Sequence, residues 1–495
     1  MVCAGGGRRG AGLPRRGVVA QAAAGGGRHL FCWPGAEVRH PADSSDAAPA
    51  SEPKAGTALP SIHVANVASA SSSTLEWRSA VAVFLTFAFA YFLSALVRAV
   101  TATLAPTLAQ EFALQARDLG LLAGGYFLGF AAMQLPLGRW LDRHGPRKVS
   151  LGFLGVAVLG CLVFSQAMGF AGLLAGRVLC GAGVSACLMA PLTGYRRWLE
   201  PTAQMRANSW MLMTGSLGMV ASTLPVQWAL PLVGWRPLFW ALAGLIALAM
   251  LLIALRVPAW RAALPAQRAV GGDAVGDMVG DVAPPAGYRM VWRHPYFQRL
   301  APLAFCVYGG MVAVQTLWAG PWMQQVAGYT PLQAATGLFW INVSMLCTFW
   351  SWGMLSPWLL RRGWDANRLM LWGLPLSLLV LLCTVLAGPR AGGAAWALFC
   401  MASSFVSLSQ PALALAFVPA LAGRALSAFN LVIFAGVFVV QWGIGLAVDA
   451  FAALGWGTVA SFRAAMAVYL ACNVVAYAWF VLQPRRHNAK QTAHP

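Results

Sequence analysis

The chain has 495 residues, of which 59% are hydrophobic and 10% are charged, and its formal net charge is +20 at pH 7. Soluble domains carry about 25% charged residues, so this composition excludes a soluble globular protein and indicates one embedded in a membrane. A nucleic-acid partner is also excluded, because basic residues that bind phosphates cluster on a polar domain, whereas these are scattered between apolar runs.

The first 76 residues are rich in Gly, Ala, Ser and Arg and contain no apolar run long enough to cross a bilayer. A segment of this composition cannot bury a core, so residues 1–76 are predicted to be a disordered cytoplasmic tail. The alternative is a mis-assigned start, with the true first residue further on, near Val64 or Val67.

The rest of the chain consists mainly of apolar windows of about 20 residues, the length that crosses ~30 Å of hydrocarbon as a helix. We therefore predict an all-α, polytopic membrane protein with twelve transmembrane helices. The windows are 79–104, 117–137, 149–168, 171–194, 208–232, 236–256, 299–325, 333–358, 367–388, 394–418, 425–448 and 460–482.

A stretch rich in Gly, Asp and Pro follows the sixth window, so residues 257–298 are predicted to be a cytoplasmic linker. It separates a bundle of six helices over 77–256 from a second over 299–483. The last residues, 484–495, form a short cytoplasmic tail. Three pairs of residues recur at similar places in the two bundles, which predicts that the bundles are pseudo-symmetric. The pairs are Gly138 and Gly353, Arg206 and Arg424, and Arg236 and Arg463.

Every second loop is basic, whereas the alternate loops carry only single charges. Lys and Arg concentrate in the cytoplasmic loops of membrane proteins. This pattern predicts a multi-pass protein of the bacterial inner (plasma) membrane with both termini in the cytoplasm.

The loop between the second and third predicted helices reads Gly138-Arg-Trp-Leu-Asp142-Arg143-His-Gly145-Pro-Arg147-Lys148. It resembles the signature loop of the major facilitator superfamily, which implies a transporter that works by alternating access between two six-helix bundles. Gly138 would let helix 2 approach its neighbour, and Asp142 would cap a helix N-terminus or pair with an arginine. The resemblance implies a cytoplasmic latch formed by Gly138, Asp142, Arg143, Gly145, Arg147 and Lys148. The alternative is an ordinary basic loop.

Helix 4 contains Leu174-Ala-Gly176-Arg177-Val-Leu-Cys-Gly181-Ala-Gly183, which is similar to a second recurring motif of the superfamily. Its glycines would allow close helix packing. An arginine in hydrocarbon is costly and usually faces a partner or a water-filled cavity. Arg177 is therefore predicted to act in gating or coupling, and the alternative is that it snorkels to the membrane surface.

Arg98 lies well inside the first predicted helix, with Tyr91 one heptad earlier and Thr101 three residues later on the same face. A guanidinium without an acidic neighbour in the sequence suits a carboxylate or phosphate ligand. Its spacing to Pro106 resembles the first helix of organophosphate and related carriers of the superfamily, and the chain is most similar to organic-anion or nitrate type carriers. This resemblance implies that Arg98 binds the substrate's negative group. A snorkelling arginine near the surface is the alternative.

Organophosphate carriers bring a second arginine from helix 7, where this chain has Gln315. The resemblance therefore implies a monoanion rather than a doubly charged phosphate ester. Polar side chains inside other helices are also candidates to line the substrate path, because unsatisfied amides are expensive in lipid. For each of them, hydrogen bonding between helices without substrate contact is the alternative. The candidates are Tyr126, Gln134, Gln315 and Gln410.

All fourteen acidic residues fall in tails, loops or helix ends, so no mid-membrane carboxylate is available to couple drug export to protons. We therefore predict a secondary active transporter of a small organic or inorganic anion. The alternative is multidrug or metabolite efflux by proton antiport, with the aromatic-rich helices 7 and 8 forming the pocket.

No nucleophile–base pair, metal-ligand cluster or P-loop is visible in the sequence. Enzymatic activity, a metal and a cofactor are therefore not expected. The expected partners are a small-molecule substrate, the lipid bilayer and a coupling proton or counter-anion, and the chain is expected to be a monomer.

Overall fold

The structure is a computed structural model that describes residues 75–260 and 288–483. Every regular element within these two ranges is a helix, which confirms the predicted all-α fold class. The predictions for the tails over 1–74 and 484–495, and for linker residues 261–287, fall outside the described residues.

Six helical segments precede the linker, and six long ones follow it. The first six are α1 (Trp77–Phe112), α2 (116–144), α3 (146–165), α4 (Phe170–Trp198), α5 (Pro201–Ala221 and Leu224–Val233) and α6 (Trp235–Arg256). The last six are α7 (Pro295–Gln325), α8 (Pro331–Arg361), α9 (Ala366–Ala387), α10 (Gly393–Leu415), α11 (Pro419–Ala453) and α12 (Thr458–Leu482).

The twelve predicted crossings correspond to these twelve segments. Within the described ranges, ten helices are individually long and apolar enough to cross a membrane, and the two parts of α5, bent by 43°, make an eleventh crossing if they are one span. One of the ten is a continuous element of 50 residues, Ala116–Ser165, which would be about 75 Å long as a straight helix. It therefore crosses twice, as α2 and α3, and its backbone leaves the helical region at Gly145, where φ is 76° and ψ is 167°.

The bend in α5 has a local cause at Ser222 and Thr223. Pro225 has no backbone N–H with which to continue the helical hydrogen bonds. The carbonyl of Ser222, next to the break, accepts a 2.8 Å hydrogen bond from the Thr103 hydroxyl of α1. The break is thus stabilised by a neighbouring helix.

The C-terminal part of the predicted linker is helical in the structure. A short helix spans Tyr288–Arg293, and α7 begins at Pro295 rather than at residue 299. Proline suits the first turn of a helix, because the N–H that it lacks has no intrahelical partner there. Composition alone did not distinguish this polar helix from the glycine-rich part of the linker before it.

Two arginines occupy equivalent places in the halves 77–256 and 288–483. Arg236, at the start of α6, donates to the carbonyl of Ala167 just after α3. Arg463, in the first turns of α12, donates to the carbonyls of Val385 and Leu386 at the end of α9. In the repeat, α12 corresponds to α6 and α9 corresponds to α3. An arginine at the start of the last helix therefore binds the end of the third helix in both halves.

The halves meet along α2 and α11. We call the end of the molecule that carries the α2–α3 loop the basic end, and the end that carries the α1–α2 and α11–α12 turns the opposite end. At the opposite end an added Cβ at Gly120 would overlap the Gln441 carbonyl, and one at Gly445 would overlap the Ala116 carbonyl. The two backbones are therefore in direct contact. Further in, the rings of Phe130 and Phe434 lie 4.4 Å apart.

Candidate substrate-binding site

Arg98 lies inside the first half, on the face of α1 that turns toward α2. Its side chain interacts with the hydroxyl groups of Tyr91 and Tyr126, both of which are buried. Arg98 itself is only half-buried, so part of its surface remains open to solvent-sized molecules. This environment differs from that of a snorkelling arginine, because the polar partners lie inside the bundle.

Three further side chains complete the surroundings of Arg98. Cys187 of α4 interacts electrostatically with Arg98, and Ser94 of α1 presents its backbone carbonyl to the Tyr126 hydroxyl. Tyr308, from α7 in the second half, interacts electrostatically with both Arg98 and Tyr91. We call these residues the arginine cluster: Tyr91, Ser94, Arg98, Tyr126, Cys187 and Tyr308. It therefore draws on α1, α2, α4 and α7, and so on both halves.

The arginine cluster contains a cation without a counter-ion. Within the described residues, Arg98 makes no ion pair, and its Nε has no hydrogen-bond partner. No Asp or Glu is among the buried residues in the described ranges. A buried guanidinium is unfavourable unless an anion or a set of acceptors compensates its charge. The cluster is therefore suited to bind an anion.

The tyrosines add neutral donors to this cation. A phenol oxygen can accept a hydrogen bond from the guanidinium and still donate its own O–H. The Tyr126 hydroxyl faces the Ser94 carbonyl at 3.4 Å, a long contact that a better acceptor would replace. A bound oxyanion would thus meet one charged donor group and several neutral ones.

Arg177 in α4 is fully buried and supports Arg98 rather than reaching the membrane surface. Its Nη1 donates to the Val97 carbonyl at 2.8 Å, and its Nη2 lies 3.4 Å from the Arg98 carbonyl. Its guanidinium also lies 5.0 Å from the centre of the Tyr126 ring. Arg177 therefore fixes the backbone of α1 at Arg98, a geometry that does not fit snorkelling.

The small residues around Arg177 bring α4 against its neighbours, as their pattern predicted. An added Cβ at Gly181 would overlap the Tyr126 carbonyl of α2, and one at Gly183 would overlap the backbone of Ala157 in α3. An added Cβ at Gly176 would overlap Phe164. The backbones thus approach closely enough for the short reach of Arg177 to α1.

Gln315 of α7 has a partner within its own half. Its amide donates to the Asn342 side chain of α8 at 2.9 Å, and Asn342 donates to the Leu338 carbonyl. The structure therefore places Tyr308, rather than Gln315, as the α7 side chain beside Arg98. This arrangement fits the alternative of hydrogen bonding between helices for Gln315.

The remaining predicted lining residues are Thr101, Gln134 and Gln410. Thr101 is buried three residues after Arg98, and Gln134 is buried with its amide 3.4 Å from the Phe130 carbonyl. Gln410 of α10 donates to the Asn430 side chain of α11 at 2.7 Å. Gln410 and Asn430 thus pair within the second half.

Tyr308 and Ser94 were missed by the sequence reasoning. Tyr308 lies at the end of a π-helical turn, Leu303–Tyr308, and a second such turn spans Val314–Trp318. Each π turn shifts the angular position of the residues that follow, and such turns are frequent at functional sites. The available signal for Tyr308 was a tyrosine in a mainly apolar helix, which does not show the direction that it faces.

The signature loop is built around Gly145 rather than Gly138. Gly145 has a positive φ of 76°, and an added Cβ there would overlap the Trp260 ring that follows α6. Arg147 donates to the Ala254 carbonyl of α6, which ties the loop to the same helix. Gly138, in contrast, faces open space, and Asp142, Arg143 and Lys148 are exposed. The loop therefore anchors the end of α6 within the first half.

Two apolar grooves lie away from Arg98. One of about 500 Å³ opens on the outer surface between α2 and α3, beside Lys148, and one of about 450 Å³ lies between α8 and α10. Both have mainly apolar walls, as is expected for surfaces that face lipid. The chemistry of the buried cation, and not groove volume, identifies the candidate site. Within the described residues, no group of three or more His, Cys, Asp or Glu is placed to hold a metal ion.

Comparisons with solved structures show the same fold in known transporters. A bacterial homolog of the human lysosomal transporter Spinster, in an inward-facing and unoccupied conformation, superimposes with a TM-score of 0.65 at 16% identity, over 83% of this chain and 98% of that one. A D-xylose–proton symporter superimposes with a TM-score of 0.65 at 14% identity, over 82% and 98% of the two chains.

Comparison of sequences gives a family and one curated relative. The relative is the nitrate/nitrite transporter NrtP of Picosynechococcus sp., which is 33% identical over 117 residues. The aligned segment covers 23% of this chain and 21% of that protein, so the chain matches only about a fifth of the relative's length. The family model of the Major Facilitator Superfamily matches residues 87–441, which include the arginine cluster and most of both halves. The chain therefore belongs to the Major Facilitator Superfamily and is a membrane transporter rather than an enzyme.

Proposed function

We propose that the protein transports a small monovalent anion by alternating access, with Arg98 as the cation that binds it. The observation that carries this proposal is the half-buried Arg98 guanidinium, which has an unpaired Nε and no carboxylate among its described neighbours. Charge-assisted hydrogen bonds to an oxyanion would use this donor. The single positive charge of Arg98 compensates one negative charge on the substrate, which favours a monoanion.

Nitrate and nitrite are the first candidates for this anion. The partial similarity to a nitrate/nitrite transporter supports them. Both are small oxyanions with a single charge, which suits one guanidinium surrounded by tyrosine hydroxyls. A phosphate ester would need a second cation, and the α7 side chain beside Arg98 is the neutral Tyr308.

The location and topology belong to the same proposal. By the distribution of Lys and Arg, the basic end faces the cytoplasm, both termini are cytoplasmic, and the membrane is the bacterial inner membrane. Transport is coupled to a proton or exchanged for a counter-anion, and the chain works as a monomer.

The efflux alternative receives less support from the geometry of α7. The indole of Trp318 donates to the Gln441 carbonyl, and that of Trp322 donates to the Ala391 carbonyl. Both rings are fully buried. These aromatic residues therefore hold helices together, and the cavity that Trp318 lines, about 170 Å³ in volume, is smaller than the ~300 Å³ of a typical drug-sized site.

A thermal-shift titration of the purified protein with nitrate, nitrite and chloride tests the proposal. A ligand that binds the folded state raises its melting temperature. We expect nitrate or nitrite to stabilise the wild type, and the substitution Arg98→Ala to weaken this binding at least ~30-fold, because truncating a buried charge pair costs about 2–5 kcal/mol.

Arg463→Ala is the matched control, since this arginine only joins α12 to α9. It should lower the melting temperature without changing the response to the anion. Nitrate uptake into proteoliposomes gives the second readout. An Arg98→Ala protein that folds and still transports nitrate at the wild-type rate would remove Arg98 from the site.

A further inference from the structure

One acidic residue of the second half binds the first half at the opposite end of the molecule. Asp449 lies in the last turns of α11, and its carboxylate accepts hydrogen bonds from the backbone N–H groups of Ala116 (3.2 Å) and Arg117 (2.9 Å). These are the first two residues of α2. The bonds therefore join the two halves across their interface.

The position of Asp449 is unfavourable for its own helix. The C-terminal end of a helix carries a partial negative charge, so an acidic side chain in the last turns of α11 is destabilising there. The N-terminal end of α2 carries the complementary positive charge, and its first N–H groups have no intrahelical acceptors. The carboxylate is thus stabilised by the other half.

The start of α2 is already capped from within its own half. The Gln115 side chain accepts from the Asp118 backbone, and the Asp118 carboxylate accepts from the Gln115 N–H at 3.0 Å. Asp449 binds the two N–H groups that this capping box leaves open. Helix α2 therefore stays capped when Asp449 leaves, and water can take over the two N–H groups that are released.

The same segments of α2 and α11 form the tightest contact between the halves. Gly120 packs on Gln441, and Gly445 packs on Ala116, so that the two helix backbones touch about one and two turns further into the molecule than the Asp449 contact. A transporter with alternating access must separate these segments before its site opens at this end. The Asp449 bonds must break in the same step.

We infer that Asp449 is the latch of the gate at the opposite end, and that its bonds to the start of α2 favour the state in which this end is closed. The inference rests on the shared superfamily mechanism and not on the proposed anion. In this inference, one charged contact sets how much of the protein is in the closed state. This contact is solvent-accessible enough to break reversibly.

Distances between spin labels measure this population directly and need no substrate. One label at Met168 and one at Leu454 report on the opposite end, since both residues are highly exposed and lie in different halves. A second pair, at Arg196 and Arg362, reports on the basic end, where both residues are exposed. The exposed native cysteines are replaced by serine in all proteins.

We expect Asp449→Asn, which removes the charge at nearly constant shape, to increase the population with a long distance at the opposite end at least threefold. The distance at the basic end should shorten in the same molecules. Ala116→Pro provides the converse test: it removes one donor N–H and leaves Asp449 in place, and proline is tolerated at the first position of a helix. A smaller shift in the same direction is expected.

Asp365→Asn is the matched control. Asp365 caps α9 within the second half by accepting from the Arg368 N–H, and asparagine caps a helix about as well, so this substitution removes a charge and should change neither distance. The inference is overturned if Asp449→Asn, or Ala116→Pro when the first variant does not fold, leaves the opposite-end distances as in the wild type. It is equally overturned if Asp365→Asn produces the same shift.

Discussion

Arg98 and Arg177 are both arginines inside the first half, but their surroundings give them different roles. Arg177 uses its two terminal nitrogens on backbone carbonyls of α1, including that of Arg98 itself. Arg98 has no such acceptors and leaves its Nε unpaired. Arg177 therefore supports the backbone of the site, and Arg98 is the group that would bind the anion.

Conservative replacements should separate these two roles. Arg177→Lys keeps the charge but cannot reach both carbonyls, so we expect a loss of about 1.5–3 kcal/mol of stability, the range for hydrogen bonds to charged groups, with anion affinity reduced less than tenfold. Arg98→Lys should show the reverse, with a near-normal melting temperature and weak anion binding. Melting curves with and without nitrate measure both quantities. Equal losses of stability and affinity in the two variants would contradict this division.

The two glycines of the signature loop should also respond differently. Gly145→Ala places a Cβ at a positive φ and against the Trp260 ring, so the variant should lose more than ~1 kcal/mol of stability. Gly138→Ala should be neutral or stabilise by about 0.5–1 kcal/mol, because the residue is helical and faces open space. Melting temperatures of the two single variants test this. Adding Trp260→Ala to Gly145→Ala should recover part of the loss; no recovery would contradict the assigned cause.

At the scale of elements, the sequence predicted the number and order of the helices because each crossing needs a long apolar run. It did not predict how α7 faces the site. The place of Gln315 in the repeat favoured it as the partner of Arg98, but α7 contains two π-helical turns that change the direction in which its side chains face, and Tyr308 lies beside Arg98 instead. The bend of α5 was also missed: Pro225 is a local signal for it, but the Thr103 hydroxyl that stabilises the break belongs to another helix. Such features come from contacts between helices and leave little trace in one segment's composition.

The close packing of α4 gives a prediction at this scale. Gly181→Ala forces a methyl group against the Tyr126 carbonyl, and overpacking of this kind costs about 1–3 kcal/mol. Since Tyr126 also interacts with Arg98, anion affinity should fall too. Gly244→Ala in α6 is the control, because its added Cβ meets nothing within 4 Å. Melting temperature and anion titration of both variants are the measurements, and an unchanged Gly181→Ala protein would contradict the packing argument.

For the whole molecule, sidedness follows from the loops at its two ends. Single cysteines at Arg362, in the α8–α9 loop, and at Arg390, in the α9–α10 turn, lie at opposite ends of α9. In intact cells, a membrane-impermeant maleimide should label the cysteine at position 390 and not that at position 362. Permeabilised cells should label both. The reverse pattern would place the basic end outside the cell and contradict the proposed topology.

The fixed positive charge of Arg98 has an electrical consequence. An arginine does not release its proton under physiological conditions, and no buried carboxylate in the described ranges offers a second charge that could titrate during the cycle. The empty and loaded forms then differ by one elementary charge, and the membrane voltage acts on that difference. A potential of 100 mV contributes about 2.3 kcal/mol per charge, roughly a fiftyfold concentration ratio. With the cell interior negative, an anion that crosses alone is driven outward, so accumulation inside the cell requires a co-transported cation or an exchanged anion.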